Sequence, residues 1–122
     1  MTLQECYIAL DGNYAEVLGR LRSERMIQKF VLKFLDDANF DLLCRSLEAG
    51  AVEDAFRAAH TIKGMCQNLS FTRLAESSGR MTEALRSGDL TGARALLSCV
   101  QEDYGRTVAA IRAFRAGLSD GV

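Results

Sequence analysis

Apolar residues recur every three or four positions along almost the whole chain, and no useful length of it alternates polar with apolar. That period belongs to amphipathic helices rather than strands. The chain also has no proline, so nothing fixes a helix-breaking φ, and its glycines cluster where helices would end. The pattern therefore predicts an all-α fold.

Individual helix starts and stops are legible. Thr2–Glu5, "TLQE", has the spacing of a capping box, in which the threonine oxygen accepts from the first turn and the glutamate reaches back. "LDGN" at Leu10–Asn13 reads as a turn, and "NYAE" at Asn13–Glu16 repeats the box more weakly and opens a second short helix. Ser23 caps a helix with Ile27, Phe30, Val31, Phe34 and Leu35 on one face. "DDAN" at Asp36–Asn39 interrupts it; a continuous helix is the alternative. Phe40, Leu43, Cys44 and Leu47 carry the pattern on to Gly50, a natural left-handed terminator.

The next segment spans about residues 52–69, with a core stripe of Val52, Ala55, Phe56, Ala59, Ile62, Cys66 and Leu69. Ser70 is read as the cap of the helix that follows, whose stripe is Phe71, Leu74, Met81 and Leu85 and which Gly88 ends. The last helix, about 90–118, steps through Leu90, Ala93, Leu97, Val100, Tyr104, Val108, Ile111, Phe114 and Leu118, with Gly105 as a local weak point. Short connections favour antiparallel neighbours. The expected architecture is an antiparallel four-helix bundle over residues 23–118, with one or two short N-terminal helices over 1–22 covering one end. The expected organisation is a single domain over 1–122, and the starting methionine with no linker composition suggests a free-standing protein.

Composition narrows the function classes. Fifteen Lys and Arg against sixteen Asp and Glu leave a net charge of −1, unlike the basic balance of a nucleic-acid binder. With 48% hydrophobic residues, the chain can bury a core. No apolar run approaches the roughly 20 residues of a membrane span, and the N-terminus has no secretory pattern. Cys6, Cys44, Cys66 and Cys99 form no CxxC pair and are read as free, mostly buried thiols in a reducing cytoplasm.

The chemistry concentrates in "AAHTIKGMCQNL", residues 58–69, which holds the only histidine, His60. On a helical projection Ala59 and Ile62 point to the core, whereas His60 shares a polar line with Glu53, Arg57, Gly64 and Gln67. An ordinary exposed imidazole is mostly neutral at pH 7 and can act as a nucleophile. Phosphoryl transfer requires alignment and neutralisation of oxygen charge. Lys63, one turn on, can place an ammonium beside a phosphoryl group on His60, and Gly64 leaves room for another protein's backbone. An ordinary surface histidine, a solvated lysine and a glycine for close helix packing are the plainer readings of the three.

At these residues the sequence resembles the histidine-containing phosphotransfer (HPt) family of bacterial two-component phosphorelays. The signature is a histidine followed by a hydrophobic residue, lysine and glycine, here "HTIKG", then a short run and a leucine, here Leu69. Phe71 and Leu74 match the apolar start of the next helix, and the resemblance extends more loosely over about residues 23–115. It implies a phosphocarrier without an ATP site, not a kinase, in which His60 accepts phosphoryl from a receiver aspartate and passes it on. Lys63 would stabilise the phosphoryl group and Gly64 would admit the partner, with Arg57 and Gln67 supplying polar contacts. The implied partners are receiver domains of response regulators and hybrid histidine kinases. No cofactor is implied for this chain; magnesium would belong to the receiver. A cytoplasmic monomer that binds neither nucleic acid nor membrane is the corresponding expectation.

Two positions depart from the family pattern. Ser70 stands where a glycine is usual. Thr82 stands where some members have a glutamine that hydrogen-bonds the histidine, so Thr82 is a candidate contact with a shorter reach. The alternatives are a helical interaction module that binds receivers or other signalling partners without phosphotransfer, and a metal-binding bundle that uses His60 and thiols.

Overall fold

The structure, a computed structural model, describes residues 1–120. Helix α1 spans Leu3–Ala9, α2 Tyr14–Leu21, α3 Glu24–Phe34, α4 Asn39–Ala49, α5 Val52–Leu69, α6 Thr72–Arg86 and α7 Leu90–Asp120. No strand occurs among the described residues.

The capping box at Thr2 is complete, with Thr2 Oγ1 accepting from Glu5 N and Thr2 N donating to Glu5 Oε1. Asn13 and Ser23 cap α2 and α3 through their side-chain oxygens. The Asp36–Asn39 interruption is a true break: Asn39 N donates to Asp37 Oδ2, and α4 begins there. Gly50 and Gly88 adopt positive φ of 72° and 76° at the ends of α4 and α6, a conformation that costs a glycine little.

Helices α4, α5, α6 and α7 form the four-helix bundle, which therefore begins at Asn39 rather than at residue 23, with α3 packed against α2, α5 and α7. α5 packs between α4 and α6, α6 packs on α7, and α7 closes back on α4. Two-residue connections at Gly50–Ala51 and Ser70–Phe71 turn the chain directly into its next neighbour. α1 lies on α7, and α2 packs on α3. Leu3, Cys6 and Tyr7 bury the inner face of α1, and Val17 that of α2. No helix is long and apolar enough to cross a membrane among the described residues.

The reading of Ser70 requires correction. It is the C-cap of α5, not the N-cap of α6, with φ 56° and ψ 40°; Phe71 takes the N-cap place with no side-chain capping bond. The core stripe of α7 is also shifted. Ala93, Val100, Ala110, Ile111 and Phe114 are buried, while Leu97, Tyr104 and Val108 are half-buried and Leu118 is 37% exposed. Helix α7 runs on through Gly105 without a break. Asp103 and Thr107 complete its inward face: Asp103 accepts from Arg73 Nε at 3.0 Å, and the Thr107 hydroxyl donates to the Asp103 carbonyl.

Candidate functional site

Helix α5 carries the site because its outer face is polar and its inner face is small and apolar. Ala55, Ala58, Ala59, Ile62 and Cys66 are buried, so α4 and α6 approach closely. On the opposite side Glu53, Arg57, His60, Gly64 and Gln67 are all exposed. The structure thus places the sequence-derived line at the surface as read.

Lys63 sits at the edge of this line, half-buried, on the flank that meets α6. Gly79 of α6 faces it: a Cβ there would be in ordinary contact, 3.8 Å from Lys63 Cδ and 3.9 Å from Cε. The lysine stem therefore lies against α6 and leaves the ammonium at the rim, the usual disposition of a long amphipathic side chain. Gly64 has the opposite surroundings, since a Cβ added there meets nothing within 4 Å. Close helix packing is not what that glycine serves. Arg57 pairs with Asp54 at 2.7 Å, and Gln67 is exposed while its carbonyl accepts from Arg20.

His60 has an aromatic neighbour, Phe56, which also belongs to the core stripe of α5. The Phe56 ring, one turn earlier, is stacked with the imidazole at a centroid distance of 5.7 Å and an interplanar angle of 11°. Such offset pairs contribute about 0.5–1.5 kcal/mol beyond area burial. Arg86 of α6 sets its guanidinium carbon 5.0 Å from the Phe56 centroid, and its Nε donates to Glu83 Oε2 at 2.8 Å. The bond from Arg86 holds the Glu83 carboxyl below its usual range, with smaller contributions from the charges of Arg86, Lys63 and His60. Glu83, Arg86 and Gly79 are the site residues that sequence reasoning missed. The two contacts Lys63/Gly79 and Phe56/Arg86 run in opposite directions along α5 and α6, seven residues in each, and an antiparallel pairing of the two helices would have put α6 residues there.

Thr82 is level with His60 in this antiparallel pairing but makes no hydrogen bond to it. It is buried at 0% exposure, and its hydroxyl donates to the Ser78 carbonyl at 2.7 Å. It is neither a surface threonine nor a hydrogen-bond partner for the imidazole.

The other flank of α5 is apolar. Phe30 and Phe34 of α3 with Met65 and Leu69 of α5 line a groove of about 320 Å³, edged by Lys33, Asp36, Asp37 and Asn68. The short helix beside the site is therefore α3. The C-terminus of α5 is held by the N-terminal helices: Arg20 donates to the carbonyls of Gln67 and Asn68, and Tyr7 to that of Leu69. Helix-end carbonyls that would otherwise lack partners are satisfied in this way.

All four cysteines are free. Cys6 and Cys66 are buried, Cys44 and Cys99 partly so. No group of three or more His, Cys, Asp or Glu side chains is placed to hold a metal ion among the described residues.

A family model described as the Hpt domain matches residues 26–114. The comparisons with curated proteins and with solved structures find no match.

Proposed function

Because the chain belongs to the Hpt domain family, whose members are phosphotransfer modules of two-component signalling, we propose that it relays a phosphoryl group between receiver-domain aspartates through His60. The observation that carries this reading is the arrangement on α5. An exposed imidazole, a lysine laid along its flank and an open glycine share one face of a helix whose other face is the core.

In the proposed step, the lone pair of a neutral imidazole nitrogen attacks the phosphorus of an aspartyl phosphate. The N–P bond forms as the bond from phosphorus to the aspartate oxygen breaks, and the aspartate leaves as a carboxylate. The reverse step delivers the group to a second receiver. Charge is spread over the phosphoryl oxygens as the group passes, so positioning and a nearby cation carry most of the catalysis. Lys63 is the cation of this chain for that purpose. Gly64 leaves the clearance through which the receiver backbone reaches the ring. Arg57 and Gln67 offer polar contacts around the acceptor, and the α3–α5 groove offers apolar ones. Magnesium is assigned to the receiver.

Partners are proposed as receiver domains of response regulators and of hybrid histidine kinases. The reading is tested by mixing the chain with a receiver carrying a labelled aspartyl phosphate. Label should move to the wild-type chain and not to His60→Gln, while both bind the receiver equally well. A chain that binds but takes no label would be an interaction module instead.

A further inference from the structure

We infer that Phe56 is a positioning residue for His60, its ring braced from α6 by Arg86 and holding the imidazole plane in one orientation at the surface; this rests on the relay reading above. The need follows from the rotor. The terminal torsion of a histidine joins sp³ to sp² carbon and has broad, shallow wells, so an exposed ring sweeps widely unless a neighbour restrains it. In-line phosphoryl transfer rewards a nucleophile that already points along the attack axis.

Hydrogen bonding from Thr82 does not supply the restraint, because its hydroxyl is buried and committed to the Ser78 carbonyl. The stack does. Phe56 and His60 are one helical turn apart, where side chains meet, and their planes differ by 11° at 5.7 Å. Phe56 is itself half-buried against the core cluster, so it is the fixed member of the pair. Arg86 lies 5.0 Å from its centroid, and Glu83 fixes Arg86 through the 2.8 Å bond. A chain of contacts thus runs from α6 to the reacting ring: Glu83 to Arg86, Arg86 to Phe56, Phe56 to His60.

The test uses the full chain with two variants at Phe56 and one at Arg86. Phe56→Leu keeps an apolar side chain but removes the ring, and Phe56→Tyr keeps the ring. Proton NMR of the imidazole reads the stack through its ring-current shift. Transfer from a saturating phosphorylated receiver reads the consequence. Phe56→Leu should lose the shift and slow transfer about tenfold with an unchanged half-saturating receiver concentration. Phe56→Tyr should restore both. Arg86→Met, at an exposed position, should weaken the shift and slow transfer about threefold without disturbing the core. It keeps the question open to measurement if Phe56→Leu does not fold. Phe56→Leu with wild-type transfer, whether or not the shift is lost, overturns the assignment while the relay reading stands, and so does an unaffected Arg86→Met where Phe56→Leu fails to fold. A wild-type chain that accepts no phosphoryl group from any receiver overturns the relay reading, and the assignment falls with it.

Discussion

In the proposed relay, the stability that Gly64 costs is tied to access. A glycine inside a helix is destabilising by about 0.5–1 kcal/mol relative to alanine, and a Cβ at this position would touch nothing. Gly64→Ala is therefore predicted to raise the thermal midpoint by roughly 2–6 °C. Gly64→Gln should keep the fold and slow transfer by about tenfold or more, because its side chain fills the approach to the ring. Calorimetry and transfer kinetics on the two variants check this; a destabilised alanine variant would contradict it. The glycine was legible in the sequence because one helical projection set it on a polar line with His60. Thr82 was not. On α6, Ser77, Ser78 and Thr82 are buried, and their hydroxyls bond to carbonyls three or four residues back in the same helix. A hydroxyl satisfied within its own helix can face a core. A hydropathy pattern counts it as polar, so the stripe of Phe71, Leu74, Met81 and Leu85, all buried as read, leaves Ser77, Ser78 and Thr82 off the inward face they share.

At the scale of elements, the turn between α5 and α6 explains the family glycine's replacement. Ser70 is held in the left-handed region, which costs a non-glycine residue about 1–2 kcal/mol. Its buried hydroxyl donates to Glu16 Oε1 at 2.6 Å and accepts from Arg20 Nη1 at 3.0 Å. Its carbonyl accepts from Asn13 N. The turn is thereby fastened to α2 and to the residue that caps it. Gly12 allows the approach, since a Cβ there would lie 2.7 Å from the Ser70 carbonyl oxygen. Ser70→Ala keeps the strained backbone and loses both side-chain bonds, whereas Ser70→Gly loses the bonds and relieves the strain. Urea unfolding should therefore find Ser70→Ala less stable than Ser70→Gly by about 1 kcal/mol. Equal stabilities would mean that strain at this turn is negligible. The Glu16 carboxyl is lowered chiefly by the Ser70 hydroxyl, so its contribution is present above its ordinary 4.5 and is lost as pH falls below that. The sequence marks this position as exceptional. It does not show the partners, which come from 50 or more residues earlier and meet the turn only once the chain has folded.

Across the whole molecule, the N-terminal helices complete the bundle as well as cover its end. Tyr14, Tyr7, Phe71, Phe34, Tyr104 and Phe40 form a chain of aromatic contacts with centroids 4.1–6.1 Å apart, drawn from five helices and the α5–α6 turn. Helix order and most boundaries were legible because the apolar period agrees with side-chain caps at Thr2, Asn13 and Ser23 and with left-handed glycines at Gly50 and Gly88, whereas the count stayed open at 1–22 and at Asp36–Asn39. The inner face of α7 was less so. Its 31 residues outlast the 15 of α6, and α1 also packs on it, so no single straight stripe stays inward throughout. The enclosed thiols make stability depend on pH. Burial pushes the Cys6 thiol from 9.0 up to about 11 and raises Cys66 further. Unfolded thiols ionise from about pH 9 while the folded ones stay protonated, so stability should be lost as pH rises from 9 towards 11. Thermal midpoints measured between pH 7 and 11 should fall across that window. The fall should be shallower in Cys6→Ala; a midpoint that stays level to pH 11 would contradict the burial of these thiols.

The proposed relay requires one atom-level event, transfer of a phosphoryl group to His60. It is tested most directly by incubating the chain with a phosphorylated receiver and locating the modification by mass spectrometry, with its stability measured in acid and in base. The prediction is one phosphoryl group per chain on the peptide containing His60, labile in acid, stable in base, absent from His60→Gln and discharged by a second, unphosphorylated receiver. Phosphoryl found on another residue, or none found with any receiver while the bundle is intact, would contradict it.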